Sequence, residues 1–116
     1  MITVIFEAIP AEGKWEDYLD IAAALRPALS NIEGFISVER FQSLTQPEKV
    51  LSLSFWKDER SVMEWRNMEM HRIAQKTGRK SIFHDYRIRV ATVMRDYGMN
   101  KRAEAPADSG QLTVGS

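Results

Sequence analysis

The stretch Phe55-Trp56-Lys57-Asp58 has the pattern of a strand that ends at a helix N-cap, and it opens the part of the chain that decides the fold. A helical pattern follows through Glu64-Trp65-Arg66-Asn67 and then through His71-Arg72-Ile73-Ala74-Gln75. The chain returns as a strand in Asp85-Tyr86-Arg87-Ile88-Arg89-Val90. This β–α–β arm, residues 55–98, contains both histidines and two of the three tryptophans of the chain. We therefore expect any chemistry of the protein to lie on this arm.

Similar patterns precede the arm. A segment of β-branched and aromatic residues stops at Pro10, which cannot donate to a central strand ladder. From Trp15 onward, apolar side chains recur every three or four residues, as in a helix with one buried face, and Pro27 is predicted to end or kink that helix. Strands are predicted over residues 2–9, 35–44, 49–57 and 84–97, and the first helix over residues 15–29.

The second helical region is less regular than the first. Its apolar positions between Glu59 and Lys76 drift around the axis of a single straight helix. We therefore expect two shorter helices, the first with Val62 and Trp65 on one face and the second capped by Asn67.

The order β-α-β-β-α-β predicts a ferredoxin-like fold of the α+β class. Its four strands are expected to form an antiparallel sheet with both helices on one face. The other face would carry apolar side chains such as Leu51, Leu53 and Phe55. Because a bare apolar sheet face of this size normally packs against a partner, we expect a homodimer that packs sheet on sheet.

Composition excludes several classes of function. The 116 residues suffice for one domain, and sixteen basic and sixteen acidic residues lack the positive charge of a nucleic-acid binder. The absence of cysteine excludes disulfides, thiolate metal sites and cysteine nucleophiles. No apolar run approaches the about 18 residues of a membrane span, and no basic segment precedes Ile2, so we expect a cytoplasmic protein without a membrane partner. We predict a domain over residues 1–98 and a flexible C-terminal tail over residues 99–116.

The quoted segments and the order of elements resemble the antibiotic-biosynthesis monooxygenase (ABM) domain family, a branch of the dimeric α+β barrel superfamily. The strand end at Phe55, the helix with Trp65, the segment from His71 to Gln75 and the strand from Tyr86 to Val90 carry this resemblance, which extends over roughly residues 1–98. Some members of the family oxidise aromatic polyketides or quinols without metal or flavin, some bind and degrade heme, and many have no known reaction.

The heme-degrading members provide a comparison within the family. They use an asparagine on the first strand, a tryptophan on the second helix and a histidine ten residues later as the iron ligand. Trp65 matches the tryptophan, but Gln75 stands at the histidine position and Phe6 at that of the asparagine. An amide is a poor iron ligand compared with imidazole, so heme binding or degradation is the third hypothesis.

The resemblance implies, as the leading hypothesis, a cofactor-independent monooxygenase acting on a small aromatic or quinol-like substrate. Such chemistry needs an apolar pocket, an acceptor near the substrate hydroxyl and a cation or donor for the developing anion. The predicted catalytic residues are Trp65 as an aromatic wall and His71 or His84 as the group that handles protons. The predicted substrate-binding residues are Phe55, Met68, Tyr86 and Arg87. No metal site or cofactor is expected, because neither a His-x-x-x-His pattern nor a carboxylate cluster is present.

Each of these residues also has a structural interpretation. Trp65 can be an ordinary core residue, and the two histidines can lie on the surface. Arg87 and Arg89 share a strand face and are expected to pair with a carboxylate, such as Glu7 on the neighbouring first strand. The second hypothesis is accordingly a non-enzymatic module that binds a small hydrophobe or acts in a stress response.

Overall fold

A computed structural model of the chain describes residues 1–77 and 82–106, without the side chains of Met70 and residues 72–77. The described chain forms four strands and two helices in the predicted order. The elements are β1 (Ile2–Pro10), α1 (Trp15–Leu29), β2 (Phe35–Gln42), β3 (Val50–Trp56), α2 (Glu59–Thr77) and β4 (Phe83–Thr92).

The four strands form one sheet in the order β2-β3-β1-β4, with every neighbouring pair antiparallel. The register aligns one row of side chains across all four strands: Arg40, Ser52, Phe6 and Ile88. Because side chains alternate along a strand, these residues share one face of the sheet. The ferredoxin-like α+β fold predicted from the sequence is confirmed.

Both helices cover this face, which we call the helix-covered face. Phe6, Ala8 and Val50 pack with Tyr18, Ile21 and Leu25 of α1 in one buried cluster. In a second cluster, Val4 and Trp56 pack with Leu29 and Ile32 at the end of α1 and with Val62 and Trp65 of α2. The prediction that both helices lie on the same side of the sheet is therefore confirmed.

The second helical region is one helix, so the prediction of two shorter helices was wrong. Val62, Trp65 and Glu69 are all buried and recur at the three- and four-residue spacing of a continuous helix. Glu69, a carboxylate, occupies one position of the buried stripe and interrupts its apolar pattern. A pattern search restricted to apolar residues therefore splits a helix that is continuous.

Strand boundaries also differ from the prediction, since β2 ends at Gln42 and not at residue 44, and β3 spans Val50–Trp56 and not residues 49–57. Helix α1 spans the predicted residues 15–29, with Pro27 inside it and not at its end. Strand β4 ends at Thr92 and not at residue 97, and just beyond it Val93 N–H donates to the Met1 carbonyl at 3.0 Å.

Hydrogen bonds hold the N-terminus of α2 against the loop that precedes β2. Asp58 caps the helix, since its Oδ1 accepts from Ser61 N–H at 3.0 Å. The Ser61 hydroxyl donates to the Glu33 carbonyl at 2.6 Å, and Lys57 N–H donates to the Gly34 carbonyl at 2.7 Å. Gly34 has φ +97°, and a Cβ there would collide with the Ser61 side chain, so this approach requires glycine.

The opposite face of the sheet has no helix over it among the described residues, and we call it the open face. Its centre is formed by half-buried apolar residues on the two inner strands: Ile5, Ile9, Leu51, Leu53 and Phe55. The predicted common face of Leu51, Leu53 and Phe55 is thereby confirmed.

The last described residues form turns after β4. Arg102 lies over the Tyr97 ring at 5.4 Å and donates to the Gly98 carbonyl at 3.3 Å. The predicted flexible tail falls partly on residues 99–106, and its remainder, residues 107–116, lies outside the described residues. Neither described helix combines the length and the apolar character that crossing a membrane requires.

Candidate functional site

The structure places Trp65 and Met68 in the layer between α2 and the sheet. Trp65 is 3% exposed, and its ring centroid lies 5.8 Å from that of Trp56 on β3. Met68 is half-buried and contacts both core clusters. Of the seven predicted site residues, these two are therefore neighbours on the helix-covered face.

Tyr86 belongs to an aromatic group at the β4 edge of the same face. Its ring lies 5.7 Å from Phe6 and 5.5 Å from Phe83, and Phe83 in turn lies 5.7 Å from Tyr18 on α1. Tyr86 is 51% exposed, so this aromatic group extends from the core to the surface.

The other four predicted residues are not part of this layer. Phe55 and Arg87 lie on the open face, because the register places them beside Thr3 and Glu7. His71 on α2 and His84 on β4 are both exposed. The seven residues therefore do not converge on one pocket, and their predicted roles stay predictions.

Sequence reasoning missed a buried polar cluster, formed by Tyr18, Arg40, Arg66 and Glu69, in which the Arg66 guanidinium lies 5.5 Å from the centroid of the Trp65 ring. The Arg66 guanidinium donates to Glu69 Oε1 at 2.8 Å, and Arg40 Nε donates to the Tyr18 hydroxyl at 3.5 Å. Arg40 also lies close enough to Glu69 and to the Tyr18 hydroxyl to influence their ionisation. The cluster thus joins α1, α2 and the edge strand β2 on the helix-covered face.

Burial changes the acidity of two members of the cluster. It raises the pKa of Glu69 to about 7, although the positive charges of Arg66 and Arg40 oppose the change. Burial also raises the pKa of the Tyr18 phenol, against the influence of Arg40. Glu69 therefore exchanges its proton near neutral pH, as a general acid or base requires.

One sequence signal could have identified this carboxylate. Glu69 follows Trp65 by four residues and Val62 by seven, so in a continuous helix it falls on their buried face. Carboxylates are rarely buried unless they are paired, and Arg66 is available three residues earlier. The assumption of a helix break near Asn67 concealed this relation.

The open face carries a second charged group at its centre. Glu7 accepts from Arg89 at 2.6 Å through Oε2 and pairs with Lys49 at 3.1 Å through Oε1. The hydrogen bonds from Lys49 and Arg89 lower the pKa of Glu7. The predicted pairing of Arg89 with Glu7 is confirmed, whereas Arg87 forms no ion pair within the part of the chain that the structure describes.

Two adjoining cavities flank this charged group. One, of about 320 Å³, runs along β4 past Arg87 and Arg89, and the other, of about 280 Å³, lies beside Phe41 and Leu51. Glu7 and Lys49 line both. In the described ranges, no three His, Cys, Asp or Glu side chains are grouped so that they could hold a metal ion.

A comparison with known protein families identifies the chain. The family model described as antibiotic biosynthesis monooxygenase matches residues 1–77. The chain belongs to the ABM family. This match covers β1 to α2, and thus all four residues of the buried polar cluster.

A curated relative of this ABM domain is the jasmonate monooxygenase ABM of Pyricularia oryzae. The two are 45% identical over 106 residues, which is 90% of this chain and 49% of the relative. The chain therefore spans about half the length of the relative that it matches.

Solved structures share the fold of the ABM domain at lower identity. Rv0793 of Mycobacterium tuberculosis superimposes with a TM-score of 0.69 at 12% identity, covering 84% of this chain and 98% of that one. An MhuD mutant solved with two manganese protoporphyrin IX molecules bound per active site gives 0.65 at 14% identity, covering 84% and 99%. Identities this low establish a common fold and leave ligand and reaction to each protein's own site.

The heme hypothesis gains no support from this ABM domain's own residues. Phe6, which stands where the heme-degrading members have asparagine, is 1% exposed and packs against Phe83 at 5.5 Å. A buried phenyl ring has no atom that can donate to or coordinate a heme ligand. The side chain of Gln75, at the position of the iron-binding histidine, lies outside the described residues.

Proposed function

We propose that the chain is a cofactor-independent monooxygenase that acts on a small aromatic or quinol-like molecule beside Trp65. The observation that carries this proposal is the buried polar cluster, which brings two arginines, a phenol and a carboxylate together and places the Arg66 guanidinium over the Trp65 ring at 5.5 Å. Aromatic rings suit a flat substrate, and the arginines suit the anion that forms when a phenol loses its proton.

Such a substrate can supply all the electrons that the reaction needs. When an activated ring CH₂ group becomes a carbonyl, one oxygen atom of O₂ enters the ring and the other leaves as water, carrying both hydrogens. Four electrons pass from the ring carbon to O₂, and no flavin or metal is needed to balance the reaction. The role left to the protein is to bind the substrate, take its hydroxyl proton and stabilise the resulting anion.

A small hydrophobic carboxylate is the second candidate substrate, and the name of the Pyricularia relative favours it. Hydroxylation of an unactivated C–H bond places one oxygen atom in the product and reduces the other to water. That reduction consumes two electrons that the substrate does not supply. An external reductant is therefore needed for this candidate and not for the first.

Oxygen consumption by the purified protein distinguishes the two candidates. The probes are 1,8-dihydroxyanthrone and jasmonate, each with and without NADPH. We expect oxygen uptake with the anthrone that is independent of NADPH. NADPH-dependent uptake with jasmonate alone would replace the first candidate by the second. Tight binding of either probe without oxygen uptake would favour the non-enzymatic binding module.

Variants of α2 connect the reaction to the proposed site. Trp65→Leu removes an indole that is 3% exposed, whereas Met63→Leu changes a side chain that is 62% exposed on the same helix. We expect the first to abolish uptake of oxygen and the second to leave it unchanged. His71→Ala and His84→Ala test the predicted proton-handling roles of the two exposed histidines. Equal activity of Trp65→Leu and Met63→Leu would contradict the proposal.

We also propose that the protein forms a homodimer through the open face and acts in the cytoplasm. The dimer is supported by four half-buried residues that form an apolar patch: Ile5, Leu51, Leu53 and Phe55. This patch contacts water in a single chain, and a second chain packed on the open face would cover it. Leu53→Asp places a charge in this patch, and Met63→Asp places one on an exposed helix position. Native mass spectrometry should show a dimer for Met63→Asp and a monomer for Leu53→Asp. Two dimers would contradict this interface.

A further inference from the structure

We propose that Glu69 is the catalytic residue that accepts the hydroxyl proton of the substrate, with Arg40 and Tyr18 stabilising the anion that remains. This inference rests on the proposed function, since it assigns a role within the same site. It differs from the sequence-based expectation, which gave the proton to His71 or His84.

The position of Glu69 on α2 provides the first step. Glu69 follows Trp65 by one helical turn, and both residues are buried on the same face of the helix. Residues four apart on a helix are neighbours on its surface. A substrate ring held at this face of α2 would thus lie within one helical turn of the Glu69 carboxylate.

The charges around Glu69 provide the second step. Arg66 from α2 donates to one carboxylate oxygen at 2.8 Å, Arg40 faces it from β2, and the Tyr18 phenol approaches from α1. Burial alone would keep the carboxyl group protonated. The two arginines oppose burial, so that the pKa of about 7 makes both forms available near neutral pH.

Arg40 provides the third step. Its side chain is half-buried, and Tyr18 is its hydrogen-bond partner through Nε at 3.5 Å. No other hydrogen bond or ion pair of Arg40 occurs among the residues that the structure describes. Its remaining N–H groups are therefore available to an oxyanion, and a guanidinium binds such an anion through two parallel hydrogen bonds.

An ordinary ion pair on a helix surface would look different. Exposed i,i+3 pairs leave the carboxylate in water and contribute little to stability. Here the Glu69 side chain is 8% exposed and that of Arg66 is 25% exposed, so the carboxylate is the deeper partner. His71, which is exposed, offers no such shielded position.

The test compares Glu69→Gln with Glu64→Gln, an exposed glutamate on the same helix, using 1,8-dihydroxyanthrone as the substrate. We expect Glu69→Gln to lower kcat/KM by about 10²- to 10⁴-fold. In the unaltered protein and in Glu64→Gln, kcat/KM should fall as pH decreases through about 7, because the base becomes protonated. In Glu69→Gln this dependence should disappear. An unchanged pH profile in Glu69→Gln would overturn the assignment.

A binding measurement separates this inference from the proposed function. Calorimetry with 1-naphthol in two buffers of different ionisation enthalpy reports the protons released on binding. At pH 6 Glu69 is mostly protonated, and binding should release its proton because the naphthol hydroxyl donates best to the ionised carboxylate. At pH 8.5 Glu69 is already ionised, so we expect no proton release. Glu69→Gln should release none at either pH, and equal release in that variant would overturn the inference.

Loss of oxygen uptake together with Glu69-dependent proton release would overturn the monooxygenase proposal and support Glu69 as the proton-accepting group. Absence of both oxygen uptake and naphthol binding would overturn both.

Discussion

The two faces of the sheet use charged residues in opposite ways. On the helix-covered face, Glu69 is buried with Arg66 and beside Arg40, and burial raises its pKa to about 7. On the open face, Glu7 is paired with Lys49 and Arg89, and their hydrogen bonds lower its pKa. Both carboxylates have two cationic neighbours, so the cations do not explain the difference. The difference is the helix layer, which removes water from Glu69 and leaves Glu7 partly hydrated.

This comparison indicates where chemistry and assembly are located. A buried carboxylate whose pKa lies near neutrality is a candidate for a reaction site. A carboxylate that stays ionised between two cations holds strands together and can fix the register of a partner sheet. The helix-covered face is thus the better candidate for catalysis, and the open face is the better candidate for dimer formation.

The largest difference is expected between two adjacent residues of β3. Trp56 is fully buried on the helix-covered face, whereas Phe55 is half-buried on the open face. Trp56→Ala should lower the free energy of unfolding by about 3–5 kcal/mol, because it leaves a cavity in the core. Phe55→Ala should cost about 1–2 kcal/mol in the folded monomer, since less contact is lost. Urea unfolding of both variants measures these values, and equal losses would contradict the different burial of the two faces.

The next effect concerns the pH dependence of stability through Glu69. Its folded pKa of about 7 lies above the ordinary value of 4.5, so the folded state favours the protonated carboxyl. The protonated carboxyl therefore contributes stability that is fully present below pH 4.5 and is lost as pH rises through about 7. Over this range the free energy of unfolding should fall by about 3 kcal/mol. Glu69→Gln should abolish this decrease, and the exposed Glu64→Gln should retain it. Chemical denaturation from pH 4.5 to 8 provides the measurement, and parallel curves for all three proteins would exclude burial of an ionisable Glu69.

A smaller effect is expected at the contact between Gly34 and Ser61, which holds the N-terminus of α2 against the loop before β2. Gly34→Ala introduces a Cβ at φ +97° that collides with Ser61, and should cost about 2–3 kcal/mol. Gly13 is the matched control, because its φ of +76° is also positive and nothing lies within 4 Å of an added Cβ. Gly13→Ala should cost only about 1 kcal/mol for the left-handed backbone. Thermal unfolding compares the two, and a larger cost at Gly13 would contradict the close packing at Ser61.

The smallest effect is expected for Glu7→Gln on the open face. Its carboxylate is partly hydrated, so loss of the pairs with Lys49 and Arg89 should cost no more than about 1 kcal/mol near pH 7. The lowered pKa of Glu7 gives stability that is present above its ordinary value and is lost as pH falls through the lowered one. The variant should therefore lose less stability in acid than the unaltered protein. An acid titration followed by circular dichroism tests this, and identical curves would show that the network adds no stability.

Much of the fold could be predicted from local patterns, and the exceptions have physical causes. The strand with Leu51, Leu53 and Phe55 and the cap at Asp58 were predictable, because alternation and capping involve residues close in sequence. The two-helix interpretation of residues 59–77 was wrong because Glu69 occupies a buried position normally filled by an apolar residue. The candidate site was harder to predict, since Arg40 and Tyr18 meet across 22 residues of sequence.

The sequence by itself determined the order of strands and helices and membership of the ABM family, because these depend on local periodicity and on residue types at fixed spacing. Only the tertiary structure decided that Phe55 and Trp65 lie on opposite faces of the sheet and that Glu69 is buried beside Arg40. The acidity of a carboxylate depends on how much water surrounds it and which charges face it. Both are set by elements that are distant in the chain and become neighbours only when the helices pack on the sheet.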